Sequence, residues 1–185
     1  MKHLLYILPL FLASHCRGQI LPDSTLKSKG IRGGGIQFAY NTERALNFGV
    51  NFQYRRQIFS LDYMWQTNSK LGKTKGTQLG NYGQKGAGSG NYFEGVTFGY
   101  GYALSRKLGL FVEGTLGADK TYQNYSDRRF KAGGYNIIIY KEGAYGWGGS
   151  VRYSFYKSCF AQIGYNTLTG VKIGAMFTVI KDKNE

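Results

Sequence analysis

From Val96 to Leu104 the chain alternates without a break. Val96, Phe98, Tyr100, Tyr102 and Leu104 are large and apolar or aromatic, and Thr97, Gly99, Gly101 and Ala103 between them are small. In an extended chain successive side chains point to opposite faces. This segment therefore has one greasy face and one that is almost bare. A strand of a soluble sandwich buries its large residues and shows polar ones to water. A bare face instead suits the crowded inside of a narrow closed barrel, with the large residues turned outwards to lipid.

The same pattern recurs along the chain. Leu46, Phe48, Val50, Phe52 and Tyr54 alternate with Asn47, Gly49, Asn51 and Gln53, and no 3.6-residue period competes. Further alternating runs are expected at Gly35–Asn41, Ile58–Gln66, Tyr92–Leu104, Leu108–Ala118, Ala144–Phe155, Ser158–Tyr165 and Val171–Ile180. Eight neighbouring strands result, an even number that lets the last pair with the first and removes both sheet edges. The expected fold is an all-β, eight-stranded antiparallel up-and-down transmembrane barrel spanning 35–185. Mean hydropathy is −0.34, which does not oppose this, because strands that alternate between lipid and lumen escape a hydropathy scan.

The N-terminus has the form of a secretory leader: Lys2, then the apolar run Leu4–Leu12, then small residues up to Gly18. Residues 1–18 are read as signal peptide with Gln19 as the mature start, and 19–34 as a polar, basic lead-in. A lipoprotein signal acylated at Cys16 is the alternative. Both histidines, His3 and His15, leave with the leader, and Cys159 then stands alone. No metal-ligand spacing and no Ser–His arrangement survive, so no metal, cofactor or catalytic residue is expected. Gly83–Gly90 lacks the Gly-Lys-Ser/Thr run of a phosphate loop.

Turn lengths set the orientation. Arg55-Arg56-Gln57, Ser105-Arg106-Lys107 and Tyr156-Lys157 are short and basic and belong at one end with both termini. The stretches Thr67–Asn91 and Asp119–Glu142 read as long surface loops at the other, although Tyr135–Tyr140 is apolar enough to extend a strand. Trp65, Tyr92, Phe93, Tyr145 and Trp147 then fall at the outer ends of the strands, and Tyr54, Tyr102, Tyr153 and Phe155 at the inner ends, as two aromatic girdles. By alternation Asp62, Glu113, Arg152 and Lys172 point inwards. Buried charge is costly unless paired, so an internal network of these four with Asn47, Asn51 and Gln53 is expected.

The long loops carry Lys70, Lys73, Lys75, Lys85, Arg128, Arg129 and Lys131. Such a basic surface fits outer-membrane lipid and lipopolysaccharide, or a polyanion without sequence-specific nucleic-acid binding. Other envelope proteins are further candidate partners.

Gln19-Ile20-Leu21-Pro22, Gly99-Tyr100-Gly101-Tyr102, Tyr145-Gly146-Trp147-Gly148-Gly149 and the terminal Gly174-Ala175-Met176-Phe177 strand carry a resemblance. The chain resembles small outer-membrane β-barrel proteins of the Bacteroidetes type, porin-like or OmpA-like in architecture. It also looks somewhat like the TraO family of conjugative-element proteins, through the mature start and the aromatic-Gly-Gly sixth strand. The resemblance implies a non-enzymatic anchoring or assembly barrel in the outer membrane of a Gram-negative bacterium, and adds conjugation proteins to the candidate partners; a small porin-like channel and a soluble-type lipid-binding barrel are the alternatives. The polar tail Lys181–Glu185 departs from the aromatic ending of many such proteins.

Overall fold

A computed structural model describes residues 31–74, 85–105, 107–156 and 159–181. Eight strands follow one another: β1 (Ile31–Asn41), β2 (Ala45–Tyr54), β3 (Gln57–Gln66), β4 (Gly86–Ala103), β5 (Leu108–Ser126), β6 (Gly134–Tyr156), β7 (Cys159–Asn166) and β8 (Gly170–Lys181). Each pairs antiparallel with the next, and β8 pairs back on β1, so the sheet closes into a barrel in strict chain order. Residues 1–30, where a leader and most of the lead-in are expected, and Lys75 lie outside the described residues.

Alternation sets the two faces. Phe38, Phe48, Phe52, Leu61, Phe98, Tyr100, Val112 and Ile173 stand exposed on the outside. Gln37, Asn51, Asp62, Thr97, Glu113, Arg152 and Lys172 are buried inside. The bare inner face of β4 is a packing requirement: a Cβ on Gly101 would lie 2.3 Å from the Phe111 ring, and one on Gly99 would lie 2.2 Å from Ser60 Oγ. Glycine there makes room for large inward residues on neighbouring strands.

Strand lengths differ from the expectation at one end. β4, β5 and β6 have 18, 19 and 23 residues, whereas β7 has 8. A strand needs only about 9–11 residues to cross a bilayer. The three long strands therefore rise past the rest as a ribbon. Asp119–Glu142 is not a long loop: β5 and β6 stay paired from Asp119↔Glu142 up to Ser126↔Gly134, through one bulge at Thr121/Tyr122. Only Asp127–Gly133 connects them. Gly86–Asn91, also expected as loop, pairs along β5 from Gly86↔Tyr125 to Asn91↔Thr121. Charges on successive residues hide a strand that emerges into water, because neither face needs to be greasy there. The Arg55-Arg56 turn between β2 and β3 lies at the opposite end; we call the two the ribbon end and the turn end.

Segment 67–74 packs on the outer face of the ribbon. Asn124 Oδ1 accepts from Leu71 N (3.0 Å), and Asn124 Nδ2 donates to Ser69 O (3.0 Å). Asn136 Nδ2 donates to the carbonyls of Leu71 and Gly72 (both 2.9 Å). These two buried asparagines satisfy backbone that would otherwise lack partners.

Candidate functional site: the filled interior and the ribbon-end rim

The interior is layered. At the turn end Ile58 and Phe111 are buried and close the lumen around Gly101 and Gly109. At the ribbon end Ala45, Met64, Phe93 and Ala144 form an apolar cluster, with Leu168 packed against it. Between these two plugs lies a polar midsection built from charged and amide side chains on six strands.

Two charge clusters fill that midsection. Lys172 (β8) forms an ion pair with Glu113 (β5), each side chain 2% exposed. Ser150 Oγ donates to Glu113 Oε1 (2.7 Å), and Gln162 Nε2 donates to the same oxygen (3.2 Å) and to Ser150 Oγ (2.7 Å). The Glu113 carboxylate is thus held by β6, β7 and β8 together. In the second cluster Arg152 does not reach Asp62 directly. Gln37 relays between them: its Nε2 donates to Asp62, and its Oε1 accepts from Arg152 Nη2 (2.6 Å). The Arg152 guanidinium lies 3.9 Å from the Phe111 ring centroid, a cation–π contact that shields it. Thr97 and Thr115 bond each other (2.8 Å), and Asn166 Nδ2 donates to Thr115 Oγ1 (2.9 Å), which finishes the midsection below the ribbon-end plug.

The network differs from the sequence expectation in membership. Gln53 stays at the turn end, where its amide donates to Arg55 O (2.8 Å) and not to a carboxylate. Asn47 and Asn51 are buried, but Asn47 Oδ1 and Asn51 Nδ2 have no hydrogen-bond partner among the described residues. Gln37, Ser150 and Gln162 do the connecting instead. Their inward parity was readable from the alternation, but their reach across the lumen depends on the stagger between strands, which sequence does not display.

Two expected girdle residues also move. Phe93 is 3% exposed and belongs to the apolar plug, because it shares the inward parity of Gly95 and Thr97. Tyr92 is on the outer face but only 5% exposed. Lys70 Nζ sits 3.4 Å from its ring centroid, Lys120 Nζ 5.6 Å, and the Tyr122 ring 6.0 Å. Trp65 and, most openly, Tyr145 (77%) and Trp147 (73%) are exposed towards the ribbon end; Tyr54, Tyr102, Tyr153 and Phe155 are exposed towards the turn end.

Among the basic loop residues, Lys73, Lys85, Arg128, Arg129 and Lys131 are exposed, with Arg128, Arg129 and Lys131 in the tip Asp127–Gly133. Asp127 organises that tip: its carboxylate accepts from Arg129 N (3.0 Å) and from Arg129 Nη2 (2.7 Å). These hydrogen bonds hold the Asp127 carboxyl below its ordinary range. Lys70 is different from the others. Burial against Tyr92 pushes its ammonium pKa down, partly opposed by Glu94.

No group of three or more His, Cys, Asp or Glu side chains that could hold a metal occurs among the described residues. Cys159 is a free thiol.

No family model matches this chain, and no curated protein matches it in sequence. Several solved structures are similar in fold. One is a de novo designed transmembrane β-barrel, with 15% identity, covering 83% of this chain and 98% of that one at a TM-score of 0.45. Neisserial surface protein A gives 12% identity, 80% and 94% coverage and a TM-score of 0.43. Ail, the attachment invasion locus protein of Yersinia pestis, in complex with the heparin analogue sucrose octasulfate, gives 11% identity, 82% and 96% coverage and 0.43. The resemblances to Bacteroidetes barrels and to the TraO family have no counterpart among these matches. The closed eight-stranded ring rests on the strand pairing of the chain itself.

Proposed function

We propose that this chain is a non-enzymatic integral outer-membrane β-barrel that anchors an ordered ribbon beyond the bilayer surface. One observation carries the reading: a continuous belt of large exposed apolar and aromatic side chains surrounds a closed sheet whose interior is polar, charged and filled. That is the inverse of a soluble lipid-binding barrel, whose large faces would turn inwards. Water does not tolerate so wide an apolar surface on a monomer, whereas lipid requires one, and a closed ring leaves no backbone group unpaired in it. The basic tip residues Arg128, Arg129 and Lys131 would stand at the cell surface.

A plugged lumen supports anchoring or assembly over conduction. Apolar clusters occupy both ends, and the Glu113–Lys172 ion pair and the Asp62–Gln37–Arg152 relay lie between them. The more specific role, service in a conjugation apparatus, draws on the resemblance of the mature start and sixth strand to TraO. Deleting the gene for the chain from a conjugative donor should then lower mating frequency, and an unchanged frequency would remove that role while leaving the barrel untouched.

The direct test is heat-modifiability. The full chain, extracted from membranes in detergent, should run as a compact fast band unboiled and as a slower band after boiling. Its two tryptophans, Trp65 and Trp147, should be quenched by lipids brominated near the headgroup and less by lipids brominated at the acyl terminus. A soluble protein with one mobility and unquenched tryptophans would overturn the reading.

A further inference from the structure

On the ribbon, two successive rungs of the β5–β6 ladder place like charges directly opposite each other. Lys120 pairs with Lys141, and Asp119 pairs with Glu142. Side-chain alternation puts the lysines on the outer face, in line with Leu116 and Tyr145, and the acids on the face above the lumen. Like charges directly opposite on one face destabilise a sheet. Lys120 is compensated by an ion pair with Glu94 on β4. Lys141 is exposed, and no salt-bridge partner for it occurs among the described residues.

A third ammonium joins them from segment 67–74. Lys70 Nζ caps the Tyr92 ring at 3.4 Å, on the same ring that Lys120 approaches at 5.6 Å. Lys70 is half-buried and has no carboxylate oxygen within 4 Å among the described residues. Lys70 and Lys120 thus converge on an aromatic floor of Tyr92, with Tyr63 beside it on the belt, and Lys141 stands one strand further on, directly across the ladder from Lys120. Lys70 is desolvated beside Lys120, and the acid that acts on it, Glu94, is already ion-paired to Lys120.

Height makes the placement specific. Tyr92 lies four residues beyond Val96, Lys120 four beyond Leu116, and Lys141 four before Tyr145. Four residues of strand cover roughly 13 Å, or about 9–10 Å of height at the usual tilt. The cluster therefore faces outwards just above the apolar belt, at headgroup level.

We propose that Lys70, Lys120 and Lys141 form a docking site for the phosphate group of an anionic lipid headgroup at the ribbon-end rim. The site deepens the outer-membrane reading and depends on it. Lys70 and Lys141 supply ammonium groups without an ion pair among the described residues, Lys120 is paired with Glu94, and Tyr92 keeps the Lys70 ammonium in place. Each lysine near a charged membrane surface contributes a factor of about five to binding.

The test uses the full chain refolded into phosphatidylcholine vesicles, with diphosphoryl lipid A added in steps. The readout is the temperature at which the fast-migrating band is lost, and the mole fraction of lipid A that gives half of its maximal rise. Dephosphorylated lipid A should give no rise. K70Q/K141Q should need about tenfold more lipid A or more. R128Q/K131Q, which removes equal charge at the tip, should need no more than the parent chain. E94Q, which frees Lys120, should need less. Each variant is first shown to form the fast band in phosphatidylcholine alone. An unchanged response of K70Q/K141Q, an equal loss in R128Q/K131Q, or an equal rise with dephosphorylated lipid A would each overturn the site. An equal rise with inorganic phosphate would overturn the lipid as its source. Failure of the parent chain to enter phosphatidylcholine vesicles would strike at the membrane reading itself.

Discussion

Glu113 and Lys172 meet across the barrel, from strands that are not neighbours in the sheet, and form a buried ion pair. The pair therefore ties opposite walls together, which backbone hydrogen bonds between adjacent strands do not do. Removing one member leaves the other charged and unpaired in the lumen, at a cost of about 3–5 kcal/mol. E113Q and K172M should each lower the unfolding free energy of the refolded barrel, measured in urea, by that amount. The double variant E113Q/K172M should recover much of the loss. A double-mutant cycle with no coupling would show that Ser150 and Gln162, and not Lys172, carry the Glu113 carboxylate.

Two glycines separate packing from propensity. A Cβ on Gly101 runs into the Phe111 ring, whereas one on outward-facing Gly114 meets nothing within 4 Å. G101A should cost about 1–3 kcal/mol through overpacking. G114A should be neutral or stabilising by about 0.5 kcal/mol, because alanine restricts the unfolded chain more than glycine does. Equal losses in urea unfolding would mean that the lumen near Phe111 is looser than its contacts indicate.

The tip of the ribbon should be acid-sensitive. Asp127 has a folded pKa below its ordinary 3.8, owing to the hydrogen bonds from Arg129. A depressed carboxylate stabilises the fold fully above its unfolded pKa, and that contribution is lost as pH falls through the folded value. Amide protection at Phe130 and Gly133, whose N–H groups bond Asp127 O (3.2 Å) and Phe130 O (3.0 Å), should hold from neutral pH to about pH 4 and drop below it. D127N should show the loose tip already at neutral pH, as faster trypsin cleavage after Arg128 and Lys131. Protection that is flat down to pH 2 would refute the linkage.

The plugs should make the barrel electrically silent. In planar bilayers the parent chain should pass no steady current. F93A removes the largest member of the ribbon-end cluster formed with Ala45, Met64 and Ala144. It should destabilise by about 3–5 kcal/mol yet stay closed, because Ile58, Phe111 and the two charge clusters still fill the lumen. Steady conductance in the parent chain would favour the channel alternative.

The sequence was most readable where one environment is uniform. In the belt, lipid outside and a crowded lumen inside impose strict alternation, so strands such as Leu46–Tyr54 and Val96–Leu104 announce both their existence and their faces. Legibility fails where the environment changes along a strand. From Asp119 to Glu142 the strands stand beyond the lipid, segment 67–74 covers part of the outer face, charges fall on either side, and the ribbon resembles a loop. Phe93 looked like a girdle residue because aromatic character alone does not say on which face a ring lies. Asp62, Glu113, Arg152 and Lys172 were identifiable as inward, but their partners were not. Gln37, a neutral amide with no reason to stand out, proved to be the link between Asp62 and Arg152.

The short β7 has a mechanical consequence for the surrounding bilayer. Its 8 residues give a strand roughly 27 Å long, which at a tilt near 45° covers only about 19 Å of height, against an apolar band of about 25 Å. The strands that precede it round the ring, β4, β5 and its own partner β6, run well past that height. Lipid beside β7 must compress or the barrel must lean, and either response costs fractions of a kcal/mol per Å of mismatch. The protein would then be a one-sided wedge, and the thinned lipid along β7 would be the place where the membrane around it is easiest to perturb.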